Sequence, residues 1–309
     1  MNEKYVSTAE VTKNKIKSAI LVLAMMIMCY FLASAIGYMA GNESYGKMIG
    51  IGIAVLVIPF QLITAKMSIL AMTRGMPVNT ADERQARLKR MTDNLAESAG
   101  MKRVPDLYIT PSNVPNAFAS GTSEKNAFIC VTQGLLNMLD EREMSGVIGH
   151  EISHIVHRDI MLSQLTVSLV SIIIMLSSVL ARMAFWGSGN RNSRREGGSG
   201  ILAIIAIFAI ILQPIARIVA SLIQLAISRT REYAADAYSV KLNGSGSGLA
   251  SALAKIGGVD SYSREEVASL GGEQLKCMYI NFPTKSLGNL FSTHPPIEER
   301  IRKIQNMDY

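Results

Sequence analysis

The chain has 309 residues, 49% of them apolar and 18% charged, with a formal net charge of +7. So few charges among so many apolar side chains point to a membrane protein. The basic residues gather beside apolar runs, where anionic headgroups are the simpler partner, so no nucleic acid is expected.

In chain order, Lys4, Lys13, Lys15 and Lys17 precede an uncharged apolar run from Ser18 to Gly41, and a second run spans Met48 to Ala65. A helical crossing of the hydrocarbon takes roughly 20 residues, which both runs approach or exceed. Lys66, Arg74, Arg84, Arg87, Lys89 and Arg90 follow. The positive flanks therefore put the N-terminus and the segment after Ala65 in the cytoplasm, with an Asn42 to Lys47 loop outside. The first run is too long for a signal-peptide core, and Leu32-Ala33-Ser34-Ala35 is only a weak cleavage-like pattern, so the run reads as a retained anchor.

Thr80 to Gly100 alternates charged and apolar residues at helical spacing and predicts an amphipathic helix. Asp106 to Thr110, Asn116 to Ser120 and Ala127 to Thr132 predict three short strands, the later two joined through Gly121 to Asn126. Leu135 to Leu139 begins a helical stretch. Asp140-Glu141-Arg142-Glu143 opens another with an acidic first turn.

A third apolar run covers Ile160 to Ala181, and a fourth begins at Ile201 and reaches Pro214 before Arg217 interrupts it. Gln213, Pro214 and Arg217 would face a protein interior or a wet cleft, since an unpaired charge in lipid is expensive. A long buried helical hairpin is the alternative for these two runs. Arg191, Arg194 and Arg195 lie between them, on the predicted outer side, against the usual charge bias. Ser228 to Leu242 reads as a helix, Gly244 to Gly248 as a flexible break, and a charged helix starts at Ile297. Cys29, Cys130 and Cys277 are too scattered for a disulfide framework or a thiolate metal site and read as buried apolar residues.

Together these elements predict a predominantly α-helical α+β membrane protein with about four transmembrane helices and a small β-sheet in its cytoplasmic part. The domain boundaries are an anchor of two helices at 1–72, a first cytoplasmic part at 73–159, a transmembrane or membrane-embedded hairpin at 160–227 and a second cytoplasmic part at 228–309.

His150-Glu151-Ile152-Ser153-His154 is an HExxH motif on a predicted helix, and its spacing puts both imidazoles on one face. Two neutral imidazoles one turn apart can share one Zn²⁺, while Glu151 can take a proton from a metal-activated water. A hydrolytic zinc keeps three protein ligands. His157 lies three residues past His154, but the metzincin pattern wants Gly there and His at 160, where this chain has His157 and Ile160. Glu232, in Arg231-Glu232-Tyr233-Ala234-Ala235-Asp236, is the third ligand expected. Asp236, one turn further on, and Asp159 can each orient a zinc-bound histidine through its other ring nitrogen. A solvated or helix-pairing acid is the alternative for both.

These residues resemble the HtpX family of membrane metallopeptidases, whose wider clan includes the eukaryotic CAAX prenyl endopeptidases. The resemblance rests on Pro115-Asn116-Ala117-Phe118-Ala119, the HExxH motif with Asp159, the box from Arg231 to Asp236, and Thr293-His294-Pro295-Pro296 with Arg300. Their order covers nearly the whole chain, the loop at 187–200 being least anchored. The resemblance implies a gluzincin-type zinc endopeptidase with one Zn²⁺ per chain and a cytoplasmic active site in a multi-pass cell-membrane protein, acting in quality control on misfolded or damaged membrane proteins. It also implies that Asn116, on an edge strand, holds a substrate peptide group, and that His294 and Arg300 lie near the oxyanion. Other classes carry less. A zinc-stabilised scaffold or chaperone needs no Glu151, a transporter is disfavoured by the absence of internal duplication, and a CAAX processing protease would need more spans.

Overall fold

The computed structural model describes residues 8–39, 42–52, 55–56, 58–165, 167–168, 171, 178, 229–258, 263, 265–266, 269–270 and 295–307. The chain forms two compact units. One comprises Met1–Ile16, Ala65–Gln164 and Gln224–Tyr309, the other Lys17–Thr64 and Leu165–Ile223.

The first helices are α1 (Thr8–Met39), α2 (Glu43–Gly52) and α3 (Ile58–Thr73). The predicted loop at 42–47 is largely helical, because Asn42 Oδ1 accepts from the Tyr45 backbone N–H and starts α2 at Glu43. Large apolar side chains stand exposed on all three helices, among them Ile20, Leu23, Met48, Ile51, Phe60 and Ile63. Among the described residues, taken with their side chains, no helix is long and apolar enough to cross a membrane. The third and fourth apolar runs, the arginines at 191, 194 and 195, Arg217 and Cys277 lie largely or wholly outside the described residues.

The larger unit is built on a four-stranded sheet of order β1-β2-β4-β3. Its strands are β1 (Met76–Pro77), β2 (Asp106–Thr110), β3 (Ala117–Ser120) and β4 (Phe128–Thr132). The predicted strands are present within a residue at their starts, and β3 and β4 form the expected antiparallel pair, Ala117 opposite Val131. Two features were not legible. The two-residue β1 pairs antiparallel with β2, and β2 runs parallel to β4, Leu107 opposite Ile129. Strand β3 is therefore an edge, with no further strand beside it among the described residues.

Helix α4 (Glu83–Ser98) starts where Asp82 accepts from Gln85 N–H. Helix α5 (Gln133–Met138) starts at the Thr132 cap, and α6 (Glu141–Val156) at a capping box between Asp140 and Glu143. Helices α7 (Arg229–Asn243), α8 (Ser247–Gly257) and α9 (Ile297–Gln305) complete the unit. Val147, Ile148, Ile152 and Ile155 of α6 join one core with Leu88 and Leu95 of α4, Ile129 and Val131 of β4, Leu249 and Leu253 of α8 and Ile304 of α9. A helix covered on nearly every side can bury polar groups on one face only if they pair with one another. That condition shapes the site below.

The glycine-rich stretch at 244–248 is a tight corner, where a flexible break was expected. Gly244 takes φ +71°, the left-handed conformation that ends a helix, and α8 begins at Ser247. A Cβ on Gly248 would stand 2.4 Å from Arg142 O, so this glycine is needed for close approach to the start of α6.

Candidate metal centre

Helix α6 turns His150 and His154 toward each other, ring centroids 4.7 Å apart and nearly perpendicular, with Nε2 atoms 3.1 Å apart. Glu232, in the first turn of α7, sets Oε2 3.6 Å from His150 Nε2 and Oε1 3.7 Å from His154 Nε2. The ligand atoms of these three residues lie within 4.8 Å of one another. Donor atoms around a tetrahedral zinc, bonded at ~2.0–2.2 Å, are separated by roughly 3.3–3.6 Å. The residues present fit such an ion in donor type and spacing.

Each histidine is held from behind. His150 Nδ1 lies 2.9 Å from Asp236 Oδ1, and His154 Nδ1 lies 3.1 Å from Asp159 Oδ2. With Nδ1–H given to a carboxylate, each neutral ring presents the Nε2 lone pair to the other histidine and to Glu232. Lone pairs converging at such distances require a cation or a proton between them.

The charges follow this arrangement. Burial would lower the His154 pKa, but the hydrogen bond to Asp159 and the charges of Glu232, Asp159 and Glu151 raise it to about 9 in the metal-free protein. Burial would raise Asp236, but the Arg300 charge and the hydrogen bonds from His150 and Arg300 bring it to about 2. Asp159 is likewise lowered, burial being outweighed by His154 and Arg231. Glu151, 2% exposed, is raised, first by burial and then by the Glu232 charge, against His150, His154 and the Ala119 backbone N–H of β3.

Arg300, expected near the oxyanion, is engaged with Asp236 beside the ligand group. Its guanidinium donates to Asp236 through Nε at 2.9 Å and Nη2 at 2.7 Å, and Nη1 stands 3.9 Å from Glu232 Oε2. Asn116 is fully buried just before β3. Its Oδ1 accepts from Ala117 N–H at 3.1 Å and its own N–H donates to Thr132 Oγ1 at 2.8 Å. His157 caps the end of α6, its Nδ1 2.8 Å from Ser153 O, and is outside the ligand group. His294 lies outside the described residues. Cys130 is buried in β4, and burial pushes its thiol up.

Two contributors were missed at the sequence level. Arg231 Nη2 lies 2.5 Å from Asp159 Oδ1, and Asn14 of α1 donates to the same oxygen at 2.8 Å. Arg231 stood inside the box that carries Glu232 and could have been found there. Asn14, between two lysines far upstream, carried no local signal.

Residues 82–308 match Peptidase family M48. The chain belongs to peptidase family M48. Within it the protein is a metalloprotease of the HtpX kind. It is 39% identical to "Protease HtpX homolog" of Listeria monocytogenes serotype 4a over 96% of this chain and 99% of that one. The corresponding protein of Syntrophobacter fumaroxidans is 36% identical over 95% of this chain and 99% of its own. Streptococcus gordonii has one that is 33% identical over 96% and 99%. Among solved structures, S. mikatae Ste24p covers 97% of this M48 chain and 67% of its own at 20% identity, with a TM-score of 0.44, a distant likeness.

Proposed function

We propose that this M48 metalloprotease is a membrane-bound zinc endopeptidase that cleaves misfolded or damaged membrane proteins as quality control. The observation that carries the reading is the convergence of His150 and His154 of the buried α6 with Glu232 of α7, beside Glu151. One bound zinc per chain would sit between those ligands, polarise the scissile carbonyl and lower the pKa of water to near neutral.

The chain's own residues do the rest. An extended substrate pairs with the outer edge of β3, so that its backbone is held antiparallel or parallel to Ala117–Ser120 beside α6. Asn116 sets the start of that edge through its bonds to Ala117 and Thr132. Glu151 accepts the proton of the attacking water and passes it to the leaving amine. Burial raises its pKa in the metal-free protein, the direction that suits a carboxylate that both takes and gives a proton. Asp236 and Asp159 fix the two histidines in the tautomer that leaves Nε2 free to bind metal. Arg300 serves by holding Asp236, and the oxyanion role stays with His294.

Membrane attachment is supported by α1, whose backbone runs 32 residues with no charge after Lys17, and by the exposed apolar side chains of α1, α2 and α3. The lysines before Ser18 favour a cytoplasmic N-terminus and active site. The bilayer and its proteins are then the partners. The test is hydrolysis of an unfolded membrane protein by the detergent-solubilised chain after zinc is removed and restored. Cleavage that returns only with metal supports the reading, and no cleavage by a folded, zinc-loaded chain contradicts it.

A further inference from the structure

The two histidines are buttressed from different parts of the chain. Asp236, behind His150, is gripped by Arg300 of α9. Asp159, behind His154, has its two oxygens divided between tasks. Oδ2 faces His154 Nδ1 at 3.1 Å, while Oδ1 takes Arg231 Nη2 at 2.5 Å and Asn14 Nδ2 at 2.8 Å. A carboxylate whose one oxygen is pinned by two donors cannot rotate, and its other oxygen is presented to the histidine in one orientation.

Asn14 is turned inward between exposed Lys13 and Lys15 of α1, only 6% of its surface remaining open. Its second amide hydrogen goes to the carbonyl of His157 at 3.0 Å, one of the orphan acceptors at the end of α6. Both neighbours are acceptors, so only the amide nitrogen, with two hydrogens, satisfies them together. Aspartate or serine could not.

We infer that Asn14 is a positioning residue of the metal centre, acting through Asp159 on the ring of His154, so that the helix leading into the first apolar run helps set metal affinity. The inference rests on the metalloprotease reading given above. It differs from a merely structural role, in which Asn14 would only close the end of α6 at His157.

The experiment is zinc affinity of the full detergent-solubilised chain, by competition with a chromophoric chelator, beside the melting temperature of the metal-free protein. Asn14→Ala should weaken zinc binding by about 10-fold, the lower end of the effect of losing an outer partner of a metal ligand. In an Asp159→Ala background the same substitution should change affinity by less than about twofold, because its route is gone. Asn14→Leu keeps the branched outline of the side chain and removes both donors, and it should show the same 10-fold loss should the alanine variant fold poorly. Affinity unchanged in a folded Asn14→Leu chain would overturn the inference. So would an equal loss with and without Asp159, which would assign the effect to the helix end. Absence of zinc binding by the unaltered chain would instead overturn the metal reading itself.

Discussion

Arg300, with none of its side chain exposed, grips Asp236 by two hydrogen bonds of 2.9 and 2.7 Å from α9 to α7. Burial alone would lower the guanidinium pKa, yet the Asp236 charge and hydrogen bonds hold it above its usual value. Removing one partner of such a pair leaves the other charge buried and alone, at a cost of about 3–5 kcal/mol. Arg300→Met should therefore lower stability to urea by about that amount. A change within about 1 kcal/mol would mean that water reaches Asp236 and the pair is not isolated.

Among the described residues, Glu232 is the carboxylate grouped with the two Nε2 atoms. Glu232→Ala should reduce bound zinc well below one per chain by metal analysis of folded protein. His157 is held at the end of α6 through Nδ1 and lies outside the ligand group. Full zinc content in that variant would require a third ligand from elsewhere.

The start of α6 carries its own pH dependence. Glu143 accepts from Asp140 N–H at 2.9 Å, Ser251 Oγ at 2.6 Å and Lys255 Nζ at 2.7 Å. Burial would raise its pKa, but Lys255, Ser251 and the Asp140 backbone bring it below the ordinary value. A lowered folded pKa gives stability that is present above the unfolded carboxylate value and lost as pH falls through the folded one. Glu143→Gln should thus be less stable than the unaltered chain at neutral pH, with the gap closing under acid. A gap that stays constant as the pH is lowered would remove the charge from the account.

How much of this was legible in the sequence depends on how local the signal is. The capping box at Asp140 and Glu143 and the i, i+4 histidines lie within one helix, so spacing alone determines their relation. Glu232 and Asp236 share a second helix, and their separation orders them on one face. The partners across the chain had no such signal. Asn14 meets Asp159 only because α1 packs there, and a single Asn among lysines looks like any solvated helix residue. The parallel pairing of β2 and β4 is likewise a choice between strands, and β1 is too short to show a period. Gly248 reads as flexibility because composition cannot distinguish a free chain from one that needs close backbone approach.

The most direct test of the central claim compares casein hydrolysis by the unaltered chain and by Glu151→Gln, both solubilised, stripped of metal and reloaded with zinc. Glu151 is buried and lies outside the group that could hold metal. Zinc content and melting temperatures should match, with hydrolysis reduced at least about 100-fold in the variant, the scale of lost general-base catalysis. Hydrolysis at the unaltered rate by a zinc-loaded Glu151→Gln chain would contradict the role of Glu151 as general base.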